Sequence, residues 1–227
     1  MKHLFRILSL VFILGIGLTS VAQEVKINHD GENGLAIEKD GTLRADGEAT
    51  CWRDELQELI GKKIYDAKGN VTYDIANATI VFESGADTDD YVIMNVQLNH
   101  DWDETTPIRP HLHWEQNENA TPNWLLAYRW QVNGESKNTA WTNVAYKENA
   151  YTYDSGTIIQ ISSFGDIPLP SSGAGTSSII QLKLMRDTNN DSGKFSVTDA
   201  YSGDAAGLSL DVHIKINTLG SRTEYAK

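Results

Sequence analysis

The stretch that decides the fold is Thr106-Pro107-Ile108-Arg109-Pro110-His111-Leu112-His113-Trp114-Glu115. Apolar side chains stand at positions 108, 112 and 114, and polar or charged ones stand at 109, 111, 113 and 115. An alternation with a period of two predicts a β-strand that buries one face and exposes the other. The exposed face would then carry His111 and His113, two residues apart, between an arginine and a glutamate.

The same alternation recurs along the rest of the chain. Further strands are predicted within residues 71–82, 91–98, 124–131, 144–153, 157–162, 178–186 and 208–217. Seven or more short strands separated by turn residues are typical of an antiparallel β-sandwich or jelly roll. Long helices do not alternate with these strands, which argues against a parallel α/β fold. We therefore expect an all-β, antiparallel sandwich as a single domain over residues 51–227.

Two segments lie before these strands. Residues 24–50 are rich in Gly, Asp, Glu and Asn and contain several Asp-Gly and Asn-Gly turn dipeptides. This composition predicts an extended N-terminal arm with short strands or hairpins. The next segment, Trp52 to Gly61, predicts one short helix, because Trp52, Leu56, Leu59 and Ile60 would share a helical face and Gly61 suits a helix end.

The first 23 residues have the pattern of a secretory signal peptide. A short basic start with Lys2 and Arg6 is followed by an apolar run from Ile7 to Leu18 and by the small-residue exit Thr19-Ser20-Val21-Ala22-Gln23. The run is shorter than the roughly 20 residues that a membrane-spanning helix needs. The sequence thus predicts export to the periplasm or the extracellular space, from a Gram-negative bacterium by its Val-Ala-Gln ending, and no membrane partner after cleavage.

The composition limits the possible partners. The formal net charge is −12, and removal of Lys2 and Arg6 with the signal peptide takes it to about −14. Such an acidic chain without a Lys/Arg cluster is not expected to bind nucleic acid. A single cysteine excludes an internal disulfide, so the fold must depend on an ordinary apolar core.

The histidines are the first candidate site. His111 and His113 stand on the polar face of one predicted strand, and His213 stands on that of another, beside Asp211. If the strands are neighbours, these side chains form a usable set for zinc, iron or nickel. The glycines and the later glutamate of the cupin pattern are missing here. Three interpretations stay open: a metal site within one chain, a contact around a subunit axis, and a polar face with ordinary hydrogen bonds.

Two further candidates lie in loops. Asp187, Asn189 and Asp191 alternate as the first ligands of a calcium loop do, although the glycine comes late and no glutamate stands at the twelfth position, so an ordinary hairpin loop is the competing interpretation. Trp102 and Trp141 lie in or near loops, where an exposed ring can stack on a surface glycan. Otherwise the sequence requires no cofactor.

Several motifs carry a resemblance to a known family. They are Ala49-Thr50-Cys51-Trp52-Arg53-Asp54-Glu55-Leu56, Leu98-Asn99-His100-Asp101-Trp102, Ile108-Arg109-Pro110-His111-Leu112-His113-Trp114, Tyr201-Ser202-Gly203-Asp204-Ala205-Ala206, Asp211-Val212-His213-Ile214 and Leu219-Gly220-Ser221-Arg222-Thr223-Glu224-Tyr225-Ala226-Lys227. In this order they resemble a family of small virion-associated proteins encoded by tailed phages, over about residues 45–227. The resemblance implies a β-sandwich structural protein that forms oligomers. The signal peptide departs from it, because virion proteins are not normally exported.

Three functions follow as hypotheses. The first is an exported, non-enzymatic structural or assembly protein of the phage-virion type that forms a homo-oligomer, expected as a trimer. The second is a secreted, lectin-like module that binds glycans through exposed tryptophans. The third is a cupin-like, metal-dependent enzyme built on His111, His113 and His213. No nucleophile elbow or phosphate-binding loop is present in the sequence, so we expect no enzymatic activity.

Overall fold

The structure is a computed structural model that describes residues 25–28, 33–38, 41–46, 49–146, 153–175 and 177–219. The predicted signal peptide, residues 1–23, lies outside these ranges. The chain divides into two compact units, Met1–Thr50 and Cys51–Lys227. In the first unit, β1 (Val25–Asn28), β2 (Gly34–Ile37) and β3 (Leu43–Asp46) pair in that order as a three-stranded antiparallel sheet.

The described part of the second unit contains eleven strands. They are β4 (Cys51–Glu58), β5 (Lys63–Asp66), β6 (Val71–Asp74), β7 (Thr79–Phe82), β8 (Asp90–Gln97), β9 (Arg109–Gln116), β10 (Trp124–Gln131), β11 (Thr142–Ala145), β12 (Ile158–Ser163), β13 (Ile179–Arg186) and β14 (Ala205–Ile216). The strand predicted for residues 144–153 corresponds to β11, which begins and ends earlier, and residues 147–152 lie outside the described part of the chain.

These strands form two antiparallel sheets. The five-stranded sheet has the order β11-β10-β13-β8-β5. The six-stranded sheet has the order β12-β9-β14-β7-β6, and β4 pairs with β14. The last strand, β14, is twelve residues long, and it pairs with β7 through its first residues and with β4 through its later ones. The all-β antiparallel sandwich expected from the sequence is confirmed.

The core lies between the two sheets. Side chains alternate along each strand, so that the inner positions of β10 and β13 face those of β9 and β14. Trp124 of the five-stranded sheet makes edge contacts with Phe82 and Trp114 of the six-stranded sheet, at ring-centroid distances of 5.4 and 6.0 Å. The predicted burial of Leu112 and Trp114 on β9 is confirmed, since both are fully buried. The opposite face of β9 is therefore directed away from the core.

The predicted helix at Trp52–Gly61 is wrong, because residues 51–58 form strand β4. All eight residues of β4 pair with β14, from Cys51 opposite Ile216 to Glu58 opposite Ser209. The apolar spacing fits a short helix locally, but the exposed edge of β14 offers a full ladder of hydrogen bonds, and tertiary pairing overrides a weak local preference. No α-helix occurs among the described residues, and none of them forms a helix long and apolar enough to cross a membrane.

Gly207 allows β14 to change partners along its length. The register of β14 against β9 shifts between Gly207 and Ser209. A Cβ atom at Gly207 would lie 2.7 Å from Leu59 Cδ1, so a larger residue there would force the buried Leu59 side chain to shift. The Leu59 amide also donates to the carbonyl of Leu208 at 3.1 Å. These contacts bring the end of β4 to the point on β14 where the pairing with β7 begins.

Candidate metal centre

The register of the six-stranded sheet brings the polar residues of three strands together on its outer face. His111 of β9 lies opposite Asp211 of β14, and His113 lies opposite Ser209. On the other side of β14, His213 lies opposite Asp54 of β4. Because alternate residues of a strand share a face, these side chains all point away from the buried Leu112, Leu210 and Val212.

Three of these side chains converge on one point. His111 Nε2 lies 3.0 Å from His113 Nε2, and Asp211 Oδ2 lies 3.1 Å from His113 Nε2 and 3.6 Å from His111 Nε2. A circle through these three atoms has a radius of about 1.9 Å, so a single ion can lie about 2.1 Å from all of them. Zinc–nitrogen and zinc–oxygen bonds have this length. The described residues contain one group of three or more His, Cys, Asp or Glu side chains with this spacing, and it is this one.

Two of the three side chains in the cluster are shielded from solvent. His111 and Asp211 are buried, at 7% and 9% exposure, whereas His113 is partly exposed. Asp211 Oδ1 is buried and accepts no hydrogen bond from the described residues. A buried carboxylate oxygen without a donor is costly unless a cation or a proton compensates it. Burial, followed by the neighbouring charge of His213, lowers the pKa of His111, and the neutral imidazole is the form that binds a metal.

His213 occupies a different position from the one that the sequence suggested. Its ring lies close to that of His111, with 4.3 Å between the centroids, so the predicted meeting of the three histidines is present. However, its Nε2 atom lies 2.6 Å from Asp54 Oδ1, on the adjacent edge strand. Asp211, rather than His213, supplies the third ligand atom of the convergent set. Asp54 escaped the sequence interpretation because the segment around it was assigned to a helix.

A tryptophan and two cations lie beside the histidines. The Arg109 guanidinium carbon is 4.6 Å and the Lys215 Nζ atom 5.5 Å from the centroid of the Trp52 ring. Trp52 is 41% exposed and its ring lies 6.3 Å from that of His213. Arg109 is also paired with Asp166, which neutralises its charge. This edge of the face therefore presents an aromatic surface beside the Lys215 ammonium group, which forms no ion pair with a described carboxylate.

The predicted calcium residues are arranged as an ordinary loop after β13. Asp187 is fully buried, and its carboxylate accepts hydrogen bonds from the amides of Asp191 and Ser192, at 2.8 and 3.1 Å, and from the Ser192 hydroxyl. Asn189 and Asp191 are exposed. The Asp187 oxygens thus hold the turn in place. Calcium binding by these three residues stays a prediction.

The two tryptophans predicted as surface platforms differ in their positions. The expectation for Trp102 is wrong: its side chain is fully buried and stacks on Trp130 at 6.3 Å. The sequence places Trp102 in a polar loop, but the loop folds back so that Trp102 bridges to Ile216, a contact between distant residues that no local pattern reveals. Trp141 is partly exposed on the outer face of the five-stranded sheet, next to Arg129 and Lys183.

No family model matches the sequence, and no curated protein gives a significant match. The convergent atoms of His111, His113 and Asp211 are consequently the observation on which a function for this face is based.

Proposed function

We propose that the protein binds one divalent transition-metal ion through His111, His113 and Asp211. The convergence of two imidazole nitrogens and one carboxylate oxygen within 3.6 Å of one another carries this proposal. Two imidazoles and a carboxylate suit zinc, iron, cobalt or nickel better than calcium or magnesium, which prefer oxygen ligands alone. Three protein ligands leave at least one coordination position for water or for a group of another molecule.

The competing explanation is a cluster held together by protons. In neutral imidazoles one ring nitrogen donates and the other accepts, so a shared proton can also join His111, His113 and Asp211. The two explanations predict different stoichiometries of bound metal. A site for an ion binds one equivalent per chain with an affinity that depends on all three side chains, whereas a hydrogen-bonded cluster binds none above background.

The test is isothermal titration calorimetry of the mature chain with Zn²⁺ after treatment with a chelator, supported by elemental analysis of protein purified without one. We expect one equivalent of zinc. Replacing His111 by Ala or Asp211 by Asn should weaken binding by about 100-fold or more, since even residues that only orient metal ligands contribute 10- to 100-fold. No binding, or binding that both ligand variants retain, would contradict the proposal.

His213→Ala is the matched control, because it removes an imidazole from the same face. Its Nε2 atom is engaged by Asp54, so we expect the variant to keep one equivalent of zinc and to lose less affinity than either ligand variant. The comparison also separates two ligand sets. Loss of binding in His213→Ala but not in Asp211→Asn would favour the three-histidine set expected from the sequence.

Assembly of identical subunits is the second candidate function, and strand β4 favours it. Within the described residues β4 pairs with β14 alone, which leaves its other edge without a β partner. Leu56 and Trp52 on its outer face are 56% and 41% exposed. Leu56 lies directly opposite Asp211, so a second copy that covers β4 would lie beside the metal ligands. This role agrees with the one that the phage-type motifs imply.

Size-exclusion chromatography with light scattering on the mature chain, with zinc and with chelator, tests this second function. We expect an oligomer, whose number of subunits also tests the predicted trimer. A Leu56→Glu variant should dissociate it, because a charge at a subunit contact must be desolvated. Glu58→Gln, on the same strand and face, is the control and should leave the mass unchanged. A monomer at all concentrations would exclude assembly without affecting the metal proposal.

A further inference from the structure

The outer face of the five-stranded sheet carries a row of aromatic rings and cations. Arg129 of β10 lies over the Trp141 ring, with its guanidinium carbon 4.3 Å from the centroid. Lys183 of β13 lies 5.5 Å from the same ring and 4.6 Å from the ring of Tyr91 on β8. Tyr91 stacks in turn on Tyr65 of β5, at 4.9 Å and 16°. The row therefore crosses the sheet through four of its strands and the residue before β11.

Within the described part of the chain, the two cations of this row form no ion pair. Arg129 donates to the amide oxygen of Gln181 at 2.7 Å and to the carbonyl of Thr139 at 3.3 Å, both of which are neutral. Neither Arg129 nor Lys183 forms an ion pair with any of the described carboxylates, although the chain has 31 acidic residues. Burial lowers the pKa of Lys183, and Arg129 lowers it further against the opposing effect of Asp89. Two unpaired cations side by side cost stability that an anion would recover.

The aromatic rings around the two cations indicate what kind of molecule would carry the anionic group. Tyr65 is 52% exposed and is covered by Tyr91 on one face, so its other face is available for stacking. Tyrosine and tryptophan rings offer broad apolar surfaces with polar edges, which match the alternating apolar and hydroxyl-bearing surfaces of a sugar ring. A nucleic acid fits less well, because its regularly spaced phosphates require more cations than these two on a chain of net charge −12.

We propose that this face binds an acidic saccharide, with Lys183 and Arg129 contacting its carboxylate or sulfate and the rings of Trp141, Tyr91 and Tyr65 contacting its sugar units. The site is independent of the metal centre, because it lies on the other sheet and shares no residue with it. It differs from the lectin-like site expected from the sequence in that Trp102 has no part in it and the ligand is anionic. The two cations select the acidic group, and the aromatic row determines the direction in which the saccharide crosses the strands.

The experiment is a glycan array that presents neutral, uronate-containing, sialylated and sulfated saccharides to the mature chain, followed by calorimetry with the strongest ligand. We expect acidic saccharides to bind and their neutral counterparts not to bind. Lys183→Met and Arg129→Gln should each weaken binding about tenfold or more, and Lys183→Arg should retain most of it. Affinity should fall as salt rises.

Lys215→Met is the matched control, because the Lys215 ammonium also lies 5.5 Å from a tryptophan ring, but on the six-stranded sheet. It should bind as the wild type does. If Lys183→Met does not fold, Tyr65→Ala replaces it, since Tyr65 is exposed and should weaken binding without loss of structure. An array on which no acidic saccharide binds, equal binding of neutral counterparts, or equal losses in Lys183→Met and Lys215→Met would overturn the proposal.

Discussion

The two outer faces of the sandwich contain the same small arrangement in different electrostatic surroundings. On the six-stranded sheet, Trp52 has an arginine at 4.6 Å and a lysine at 5.5 Å; on the five-stranded sheet, Trp141 has an arginine at 4.3 Å and a lysine at 5.5 Å. Arg109 beside Trp52 is paired with Asp166, whereas Arg129 beside Trp141 is bonded to neutral oxygens. A cation beside an aromatic ring is thus a candidate anion site only where no carboxylate already forms an ion pair with that cation.

The two faces differ in charge because they differ in the number of carboxylates near the tryptophan. Asp54 and Asp211 lie on the six-stranded face among three imidazoles, so that face is suited to a cation. On the five-stranded face Asp89 acts on Lys183 electrostatically, but no described carboxylate forms an ion pair with Lys183 or Arg129, so the row is suited to an anion.

The largest effect should come from metal on the six-stranded face. Zinc at a hundred times its dissociation constant should stabilise the chelator-treated protein by about 2.7 kcal/mol and raise Tm by roughly 5–10 °C. Asp211→Asn should remove this increase, because it takes away a ligand atom. Differential scanning calorimetry with and without zinc measures both. Lys183→Met, on the other face, should show the full increase in Tm. If zinc still raises the Tm of Asp211→Asn, the stabilisation does not come from this site.

Removing each tryptophan should lower the free energy of unfolding by a different amount. Trp141 packs against the small apolar cluster of Leu125, Ala127 and Met185, so Trp141→Ala should lower the free energy of unfolding by about 2 kcal/mol. Trp52 is largely at the surface, and Trp52→Ala should lower it by less than about 1 kcal/mol. Urea unfolding followed by circular dichroism gives both values. Equal losses of unfolding free energy would mean that the two rings are packed to the same extent.

A smaller effect should accompany removal of the unpaired lysine. Lys183→Met should stabilise the fold by up to about 0.5 kcal/mol at neutral pH, because it removes a partly buried charge that solvent still screens. Since the folded-state pKa of Lys183 is below its ordinary value of 10.5, the wild type gains stability as pH rises from the folded value towards 10.5, where the unfolded chain binds more protons. The advantage of the variant should therefore shrink in that window, as urea unfolding at several pH values can measure.

Asp166→Asn should have the smallest effect on stability. It is also the most direct test of the difference between the Trp52 and Trp141 faces. Arg109 and Asp166 are both about half exposed, so loss of the pair should cost less than about 0.5 kcal/mol. The change frees the Arg109 charge beside Trp52 and makes that face resemble the five-stranded one. Calorimetry with the acidic saccharide should detect a second, weaker site. An unchanged stoichiometry would show that the tyrosine row, which the Trp52 face lacks, is indispensable.

Much of the sandwich could be predicted from the sequence because its strands alternate strictly. The positions of β8, β10, β13 and β14 follow within a few residues from apolar spacing alone. β4 could not, since the apolar spacing of residues 52–60 fits a short helix and only pairing with the distant strand β14 makes the segment a strand. Trp102 was misplaced for the same reason, because its burial depends on distant Trp130 and Ile216.

The site residues were predictable in part. His111, His113 and His213 were identified as candidates from their polar faces, and the structure brings their rings together. The roles of Asp211 and Asp54 depend on which residues lie opposite one another across β14, and register is not visible in a single sequence. Lys183 and Arg129 were missed because each is an ordinary surface cation until the register places both beside Trp141.

The place of β14 in the sheet has a consequence for the order in which the molecule folds. This strand lies at the centre of the six-stranded sheet, yet it is the last of the described strands in chain order. Strands β4, β7 and β9 share no other partner among the described residues, and their contacts with β14 are distant in sequence. The sheet therefore closes only when residues 205–216 join it, so the ligands His111 and Asp211 meet at a late step of folding.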